Sequence, residues 1–378
     1  MVFKKRKSTG SKRRKPSAGG WVLRLISVFI AAGFLISLLS PLIPPDRFWI
    51  PAFFGLAFPV FFLANLILLI IWVLRLRWFS LLHLLLLVLS LPVASRHIQL
   101  RRDLPLNYDF ATHIISYNVK TLFGDDGKTT VPGLLDMVSH EKPDILCLQE
   151  YRDDWWRKDD NTQKFITAGP FQSYVFESYY PVKRNRKAVG IAIFSRYPIA
   201  GSGTLRAGKR LIAVYADLLI KNDTVRLYNM HLQSIAFQKE DYQLVEGIME
   251  ADKPINSELE TGSRQLLWKL RKAFIKRAYQ ARLLNEAIKN SPYPVIVCGD
   301  MNDTPSSYAY RKVKGNLQDA FQKAGHSIGN TYLGKLPKIR IDYIFFDRRF
   351  KCLYFDILPY HFSDHYPVSS RFYKKKYP

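Results

Sequence analysis

The sequence predicts an α/β protein of two packed sheets with helices outside, carried behind an apolar membrane segment. Three observations lead there. After about residue 107, short runs rich in β-branched and aromatic residues follow one another with few helical stretches between them, as in sheet packed on sheet. Before residue 96, three long runs carry no Asp, Glu, Lys or Arg. Finally, several strand-like runs end on, or run into, a carboxylate, carboxamide or imidazole. That is how strand ends deliver polar groups to one shared place.

The chain in order justifies each part. The first 15 residues hold eight Lys/Arg and no acid, a composition that cannot fold on itself, so residues 1–20 read as a basic cytoplasmic tail. Leu25–Ile43 is uncharged over 19 residues, Phe48–Leu74 over 27 and Trp78–Ala94 over 17. A hydrocarbon core needs roughly 20 apolar residues as helix, so residues 21–96 predict three spans, the third the shortest. The two runs behind the first argue against a cleaved signal peptide. Pro44-Pro45-Asp46-Arg47 is nearly neutral and falls outside, Arg75 and Arg77 mark a cytoplasmic turn, and everything after about residue 96 is placed outside the cytoplasm. Arg96, Arg101 and Arg102 run against that placement. The expectation is an integral protein of a bacterial-type inner membrane, with the bilayer as one partner and 97–106 as linker.

The soluble part, 107–378, alternates helical and strand-like segments. Val131–His140 reads as a short helix stopped by Pro143-Asp144, and Ile145–Leu148 as a strand. Ser173–Tyr180, Ala188–Phe194, Leu211–Leu219 and Val225–Met230 follow as strands, several with period-two character. Lys183-Arg184-Asn185-Arg186-Lys187 is a basic hairpin loop, and 233–263 an irregular polar insertion or lid. Leu266, Leu270, Phe274, Ala278, Ala281 and Leu284 recur at helical spacing, so 264–290 is an amphipathic helix with a basic outer face. Pro294–Cys298, Ile341–Phe346, Leu353–Leu358 and Tyr366–Phe372 are late strands.

Charge narrows the partner. The chain carries 56 Lys+Arg against 31 Asp+Glu; 15 and 1 of these lie in residues 1–102, leaving 41 and 30 beyond. The soluble part is therefore basic in its own right, which suits a phosphate-bearing partner as well as a plain solvated surface. Cys147, Cys298 and Cys352 are too few and scattered for a disulfide framework or a zinc site, and read as buried thiols.

Six stretches carry the chemistry: Ile115–Asn118, Leu146–Glu150, Tyr228–His231, Val297–Asn302, Arg340–Ile344 and Ser363–Val368. Glu150 is a hard oxygen donor suited to Mg²⁺ or Mn²⁺. Asp300 and Asn302 lie two apart after Gly299, on one side if the backbone stays extended; one would polarise water and the other hold a phosphate oxygen. His231 would donate to a non-bridging oxygen. His365 needs a partner to fix its tautomer, and Asp342 is the natural one. Each alone is ordinarily structural. Their arrival together at strand ends is what a purely structural account leaves unexplained.

The ordered set Asn118, Gln149-Glu150, Asn229/His231, Gly299-Asp300-x-Asn302, Arg340-x-Asp342-Tyr343 and Ser363-Asp364-His365 resembles the endonuclease/exonuclease/phosphatase superfamily, over about residues 110–375. The resemblance implies a four-layer α/β sandwich of two mainly antiparallel sheets and divalent-metal hydrolysis of a phosphoester. It implies Glu150 as principal ligand of Mg²⁺ or Mn²⁺, with Asn118 and Asp364 assisting. Asp300 would orient or deprotonate water beside Asn302. His365, held by Asp342, would bind phosphate or act as base, and Asn118, His231 and Asn302 would contact substrate. The expected activity is a membrane-anchored phosphomono- or phosphodiesterase acting on a lipid headgroup or nucleotide. The alternative is a tethered DNA or RNA nuclease, endo- or exonucleolytic. No feature points to a protein partner.

Overall fold

The computed structural model describes residues 18–100, 110–124, 126–153, 160–180, 188–235, 240–241, 243–244, 257–334 and 338–374. The tail up to residue 17, the basic loop Lys183–Lys187, most of the linker and most of the 233–263 insertion lie outside them; residues 257–263, expected in that insertion, instead begin helix Ser257–Lys289.

The strands are β1 Ile98–Gln99, β2 Thr112–Asn118, β3 Ile145–Asp153, β4 Ser173–Ser178, β5 Ala188–Ser195, β6 Ile199–Ala207 and β7 Arg210–Ile220. They continue as β8 Asp223–His231, β9 Val295–Asp300, β10 Gln318–Asp319, β11 Ser327–Ile328, β12 Asp342–Phe346, β13 Phe350–Ile357 and β14 Val368–Lys374. One six-stranded sheet runs β10-β12-β9-β8-β7-β6 and the other β13-β14-β2-β3-β5-β4. The β8–β9 and β2–β3 pairs are parallel and the remaining pairs antiparallel.

Side-chain alternation builds the layers. Ile114, Ile145, Cys147 and Ile193 of one sheet meet Val214, Leu227, Ile296, Cys298 and Ile344 of the other in the space between them. The opposite faces carry the helices. Ile115, Leu146, Leu148 and Phe194 pack under Leu134, Met137 and Val138 of helix Val131–Glu141 and Phe165 of helix Asn161–Ala168. Tyr228, Met230, Val297 and Phe345 pack under Ala281 and Leu284 of helix Ser257–Lys289 and Tyr310 of helix Tyr308–Lys314. The result is helices, sheet, sheet, helices. All three cysteines are free and buried.

Some elements escape sequence reading for physical reasons. β6 reads Ile-Ala-Gly-Ser-Gly-Thr-Leu-Arg-Ala; its two glycines dilute the strand signal, and as an edge strand it hides only alternate residues. Helices Asn161–Ala168, Tyr308–Lys314 and Ala320–Ala324 are too short for periodicity to declare them; each is started instead by a side-chain cap, from Asp160, Ser307 and Asp319. The second apolar run is not one continuous helix. It breaks into Ile50–Leu56 and Phe58–Leu74, bent by 68° at the join. Pro59 is the cause, since it disfavours helix at the residue before it and offers no N–H to a preceding turn.

Helix Ala18–Leu39 opens a stretch long and apolar enough to cross a membrane; Phe79–Ala94 is apolar but shorter. These helices hold one another through buried polar contacts. Trp72 Nε1 donates to Ser27 Oγ at 2.7 Å, and Asn65 and His83 pair through Oδ1 and Nδ1 at 2.7 Å. One end of the bundle docks on the sandwich. Arg282 grips Asp46 at 2.9 and 3.0 Å, Phe53 meets the ring of Phe274 edge-on at 5.2 Å, and Arg96 donates to the Pro305 carbonyl at 3.1 Å. β1 pairs with β11, so the expected linker begins as part of the folded domain.

Gly299, in β9 between Met230 and Tyr343, has φ +128°, and a Cβ there would lie 2.0 Å from the Met230 carbonyl oxygen. Gly299→Ala is expected to cost at least about 2 kcal/mol, because both the backbone region and the close approach exclude a side chain. Thermal unfolding of the detergent-solubilised chain checks this; an unchanged midpoint would contradict the close β8–β9 approach.

Candidate active site

β9 is the axis of the site. Its parallel register with β8 sets His231 opposite Asp300, and its antiparallel register with β12 sets Asp342 opposite Asp300. Three polar residues thus stand in a row across three strand ends. The other sheet contributes through β2 and β3, whose pairing sets Asn118 beside Gln149. Asn118 Nδ2 crosses the gap and donates to Asp300 Oδ2 at 3.0 Å. Behind it, Gln149 Nε2 donates to Asn229 Oδ1 at 2.6 Å, while Asn229 Nδ2 donates to the carbonyls of Leu148 and Ala192 at 3.0 and 2.8 Å. These buried amides tie the two sheets at one relative position, because each would be costly unpaired.

Two local geometries differ from the sequence expectation. Glu150 does not end its strand; it sits inside β3 at a bulge with φ +53°, and the strand runs on to Asp153. A bulge re-aims a side chain, and the Glu150 carboxylate lies 3.7 Å from His231 Nε2. Nor is the backbone extended from Asp300 to Asn302. Asn302 has φ +55° and folds back, its N–H donating to Asp300 Oδ1 at 2.7 Å and its Nδ2 to Oδ2 at 2.9 Å. An asparagine tolerates this left-handed region better than most residues. Both side chains reach the site, by a turn rather than by strand alternation.

His365 Nδ1 lies 2.9 Å from Asp342 Oδ2, and its Nε2 lies 3.8 Å from Asp300 Oδ2. Asp342 is fixed in turn by its N–H, which donates to Thr331 Oγ1 at 3.1 Å. Just before β12, Arg340 makes a buried bidentate pair with Asp319 at 3.1 and 2.6 Å. Burial alone would depress the imidazole pKa, but the carboxylates of Asp342, Asp300 and Asp364 override it and raise His365 to about 10. Burial holds the Asp300 carboxyl above its usual range, with the Asp342 charge adding to it and His365 opposing.

His231 behaves oppositely. Burial, then the charges of Arg210 and His365, lower it to about 3, so the ring is neutral. Tyr179 OH accepts from the Glu150 N–H at 3.2 Å and is hydrogen-bonded to His231 Nδ1. With that hydroxyl donating to Nδ1, the ring proton stays on Nε2. This nitrogen is buried with no hydrogen-bond partner among the described residues, 3.7 Å from Glu150 and 3.6 Å from Asp300.

Metal capacity follows from the donors. Asp300, Asp342 and His365 present ligand atoms within 4.8 Å of one another, so this buried group could hold a metal ion. Yet His365 and Asp342 already occupy each other, and both oxygens of Asp300 accept from Asn118 or Asn302. The Glu150 carboxyl is the less satisfied donor: burial and the Asp364 charge raise it, only partly opposed by His365, Asn118 and Lys120. Glu150, Asp364 and Asn118 offer hard oxygens of the kind a divalent cation takes.

All eight residues singled out in the sequence lie in this one region. Asn118, Glu150, His231, Asp300, Asn302, Asp342 and His365 are linked by the contacts above. Asp364 enters through its ion pair with Lys120 at 3.6 Å and its charge on Glu150. Sequence reasoning missed Tyr179, Thr331, Lys120 and Arg210. None has a motif of its own, and each is recognisable only from what it touches.

Comparison places this geometry among known proteins. The profile described as Endonuclease/Exonuclease/phosphatase family matches residues 115–365, and a domain of unknown function matches residues 20–97. A search of curated proteins returns no match. Among solved structures, an endonuclease/exonuclease/phosphatase family protein from Bacteroides thetaiotaomicron is similar at 18% identity and TM-score 0.50, covering 69% of this chain and 97% of its own. An endonuclease/exonuclease/phosphatase from Beutenbergia cavernae DSM 12333 gives 15%, 0.49, 70% and 72%. A mannosyl-6-phosphatase from Bacteroides thetaiotaomicron VPI-5482 gives 17%, 0.46, 69% and 99%.

The charged His365 predicts a pH signature. Its folded pKa of about 10 lies above the ordinary 6.5, so the ion pair stabilises fully below about pH 6.5 and is lost as pH rises towards 10. The difference in thermal midpoint between wild type and His365→Gln is expected to narrow over that window. A difference that widens with pH would contradict a protonated His365.

Proposed function

We propose that this chain, which belongs to the endonuclease/exonuclease/phosphatase family, is a membrane-anchored Mg²⁺-dependent phosphoester hydrolase that presents its site outside the cytoplasm. The observation that carries the reading is the convergence on Asp300 of two imidazoles, one neutral and one cationic. Such a pairing divides labour. His365, cationic and oriented by Asp342, attracts a phosphate oxygen and balances its negative charge; at its raised pKa it is a poor base. Neutral His231 donates its Nε2 proton to a second non-bridging oxygen. Asp300, its carboxyl raised by burial, orients the attacking water and takes up its proton. Asn302 and Asn118 fix the Asp300 oxygens and lie where substrate oxygens would enter. Glu150, with Asn118 and Asp364 assisting, would hold a divalent cation, which would supply Lewis-acid polarisation of the phosphoryl group.

The bundle supports the anchoring. Ser40–Leu56 and Ser95–Gln99 both meet the sandwich, which puts the two junctions at one end, while the turn at Arg75 and Arg77 closes the other. With the basic tail and that turn on the cytoplasmic side, three spans place the hydrolase domain outside.

Two experiments test this. Glu150→Gln keeps the shape and removes the charge; activity is expected to fall by about 10² or more, as on loss of one transition-state-stabilising group, and to vanish in EDTA. The substrate panel is sphingomyelin, phosphoinositides, a bis-aryl phosphodiester, duplex DNA and RNA. Turnover that survives chelation or Glu150→Gln would sink the metal assignment, and exclusive cleavage of nucleic acid would favour a tethered nuclease, to which the basic surface lends support. A reporter fused after residue 378 should behave as extracytoplasmic; strong cytoplasmic signal would refute three spans.

A further inference from the structure

A cavity of about 450 Å³ lies at the β10 edge of its sheet, lined by Lys314, Gln318, Asp319, Gln322, Lys323 and Arg348 among others. Its charge is unbalanced. Among the described residues Asp319 is the one carboxylate on its wall, and both its oxygens are taken by Arg340 and Tyr310. Lys314, Lys323 and Arg348 form no ion pair among the described residues. Lys314 is half-buried, and burial lowers its pKa, with the charges of Arg96, Arg348 and Lys323 pressing the same way against the attraction of Asp319. Three cations facing one space with no free anion make a site for an anionic ligand.

Its position says which anion. Gln322 Nε2, on the cavity wall, donates at 3.0 Å to Ser95 Oγ, the residue after the last apolar helix. Arg96 follows directly and packs over the ring of Tyr310. Helix Tyr308–Lys314, which carries Lys314, packs on the Ser40–Leu42 turn at the end of the first apolar helix. The cavity therefore sits at the end of the bundle, at the level where apolar helix gives way to folded domain. That is where a bilayer displays its phosphates, and basic pockets beside membrane helices take such headgroups.

We propose that the Lys314–Lys323–Arg348 cavity binds the phosphodiester headgroup of an anionic phospholipid, fixing the hydrolase domain against the membrane surface. The proposal rests on the membrane placement above and not on the catalytic assignment, and its readout is binding, so the two fail separately.

The test is a titration of the full chain in maltoside micelles, following its thermal midpoint. The ligands are dihexanoyl phosphatidylglycerol, dihexanoyl phosphatidylcholine with the same chains, and inorganic phosphate. Phosphatidylglycerol is expected to raise the midpoint saturably while the other two do not at the same concentrations. Lys314→Gln/Lys323→Gln/Arg348→Gln is expected to weaken binding by roughly 100-fold, from the contribution of each basic residue near a lipid phosphate. Should the triple variant fold poorly, Arg348→Gln alone, at an exposed position, is expected to show a smaller weakening of the same sign. Variants that bind phosphatidylglycerol as wild type would overturn the site. An equal response to inorganic phosphate would overturn the lipid assignment in favour of a soluble anion, and an equal response to phosphatidylcholine would place binding on the apolar bundle surface instead.

Discussion

Asp300 is a carboxylate at 1% exposure, set in the seam between two sheets, and its needs shape what surrounds it. A buried carboxylate without partners is among the most costly features a fold can carry. Here Asn118 reaches it from the facing sheet, the backbone and side chain of Asn302 fold back to it, and His365 brings compensating charge. Each partner depends on register. A one-residue slip of β8 or β12 against β9 would turn His231 or Asp342 to the opposite face. The Gln149–Asn229 contact resists the remaining freedom, sliding of one sheet over the other. His365 in turn stays charged only beside Asp342, and Asp342 is steadied by Thr331 and by the Arg340–Asp319 pair at the start of β12.

The same seam links the site to the apolar helix bundle. The loop that leaves Asp300 runs through Asn302 and Asp303 to Ser307. Asp303 takes the buried Arg277 guanidinium of the long helix at 3.0 Å, and its carbonyl accepts from Tyr343 OH at 2.8 Å. Two and three residues on, Pro305 and Ser306 meet Arg96 and His97. The loop that carries Asn302 is therefore held from three directions by hydrogen-bonded, largely buried groups, which is how a site on a loop acquires the rigidity of a strand.

Much of this was legible in the sequence, and what was not has physical causes. Buried strands such as β3 and β9 declare themselves because both faces are covered, so apolar residues run without interruption. Their terminal polar residues stand out for the same reason: Asp300 after Val-Ile-Val-Cys-Gly, and His231 after Leu-Tyr-Asn-Met, break a pattern. β6 breaks no pattern, being half-exposed and glycine-rich. Glu150 was visible as a residue but not as a bulge, because a bulge depends on the partner strand and leaves no local mark. Tyr179 was invisible, although it sets the tautomer of His231, since its role exists only across strands. The kink at Ala57 was written in Pro59 and went unread because hydropathy alone counts residues and ignores backbone donors.

If Glu150, rather than the buried Asp300–Asp342–His365 group, anchors the cation, the row on Asp300 is left free to work on water and phosphate. Anomalous scattering from crystals grown with Mn²⁺ tests it most directly. A single strong peak is expected at coordination distance, roughly 2.0–2.2 Å by the spacing of small hard cations, from a Glu150 carboxylate oxygen, with the His365–Asp342 hydrogen bond intact. A peak lodged between Asp342 and His365, with that hydrogen bond broken and Glu150 uncoordinated, would contradict it.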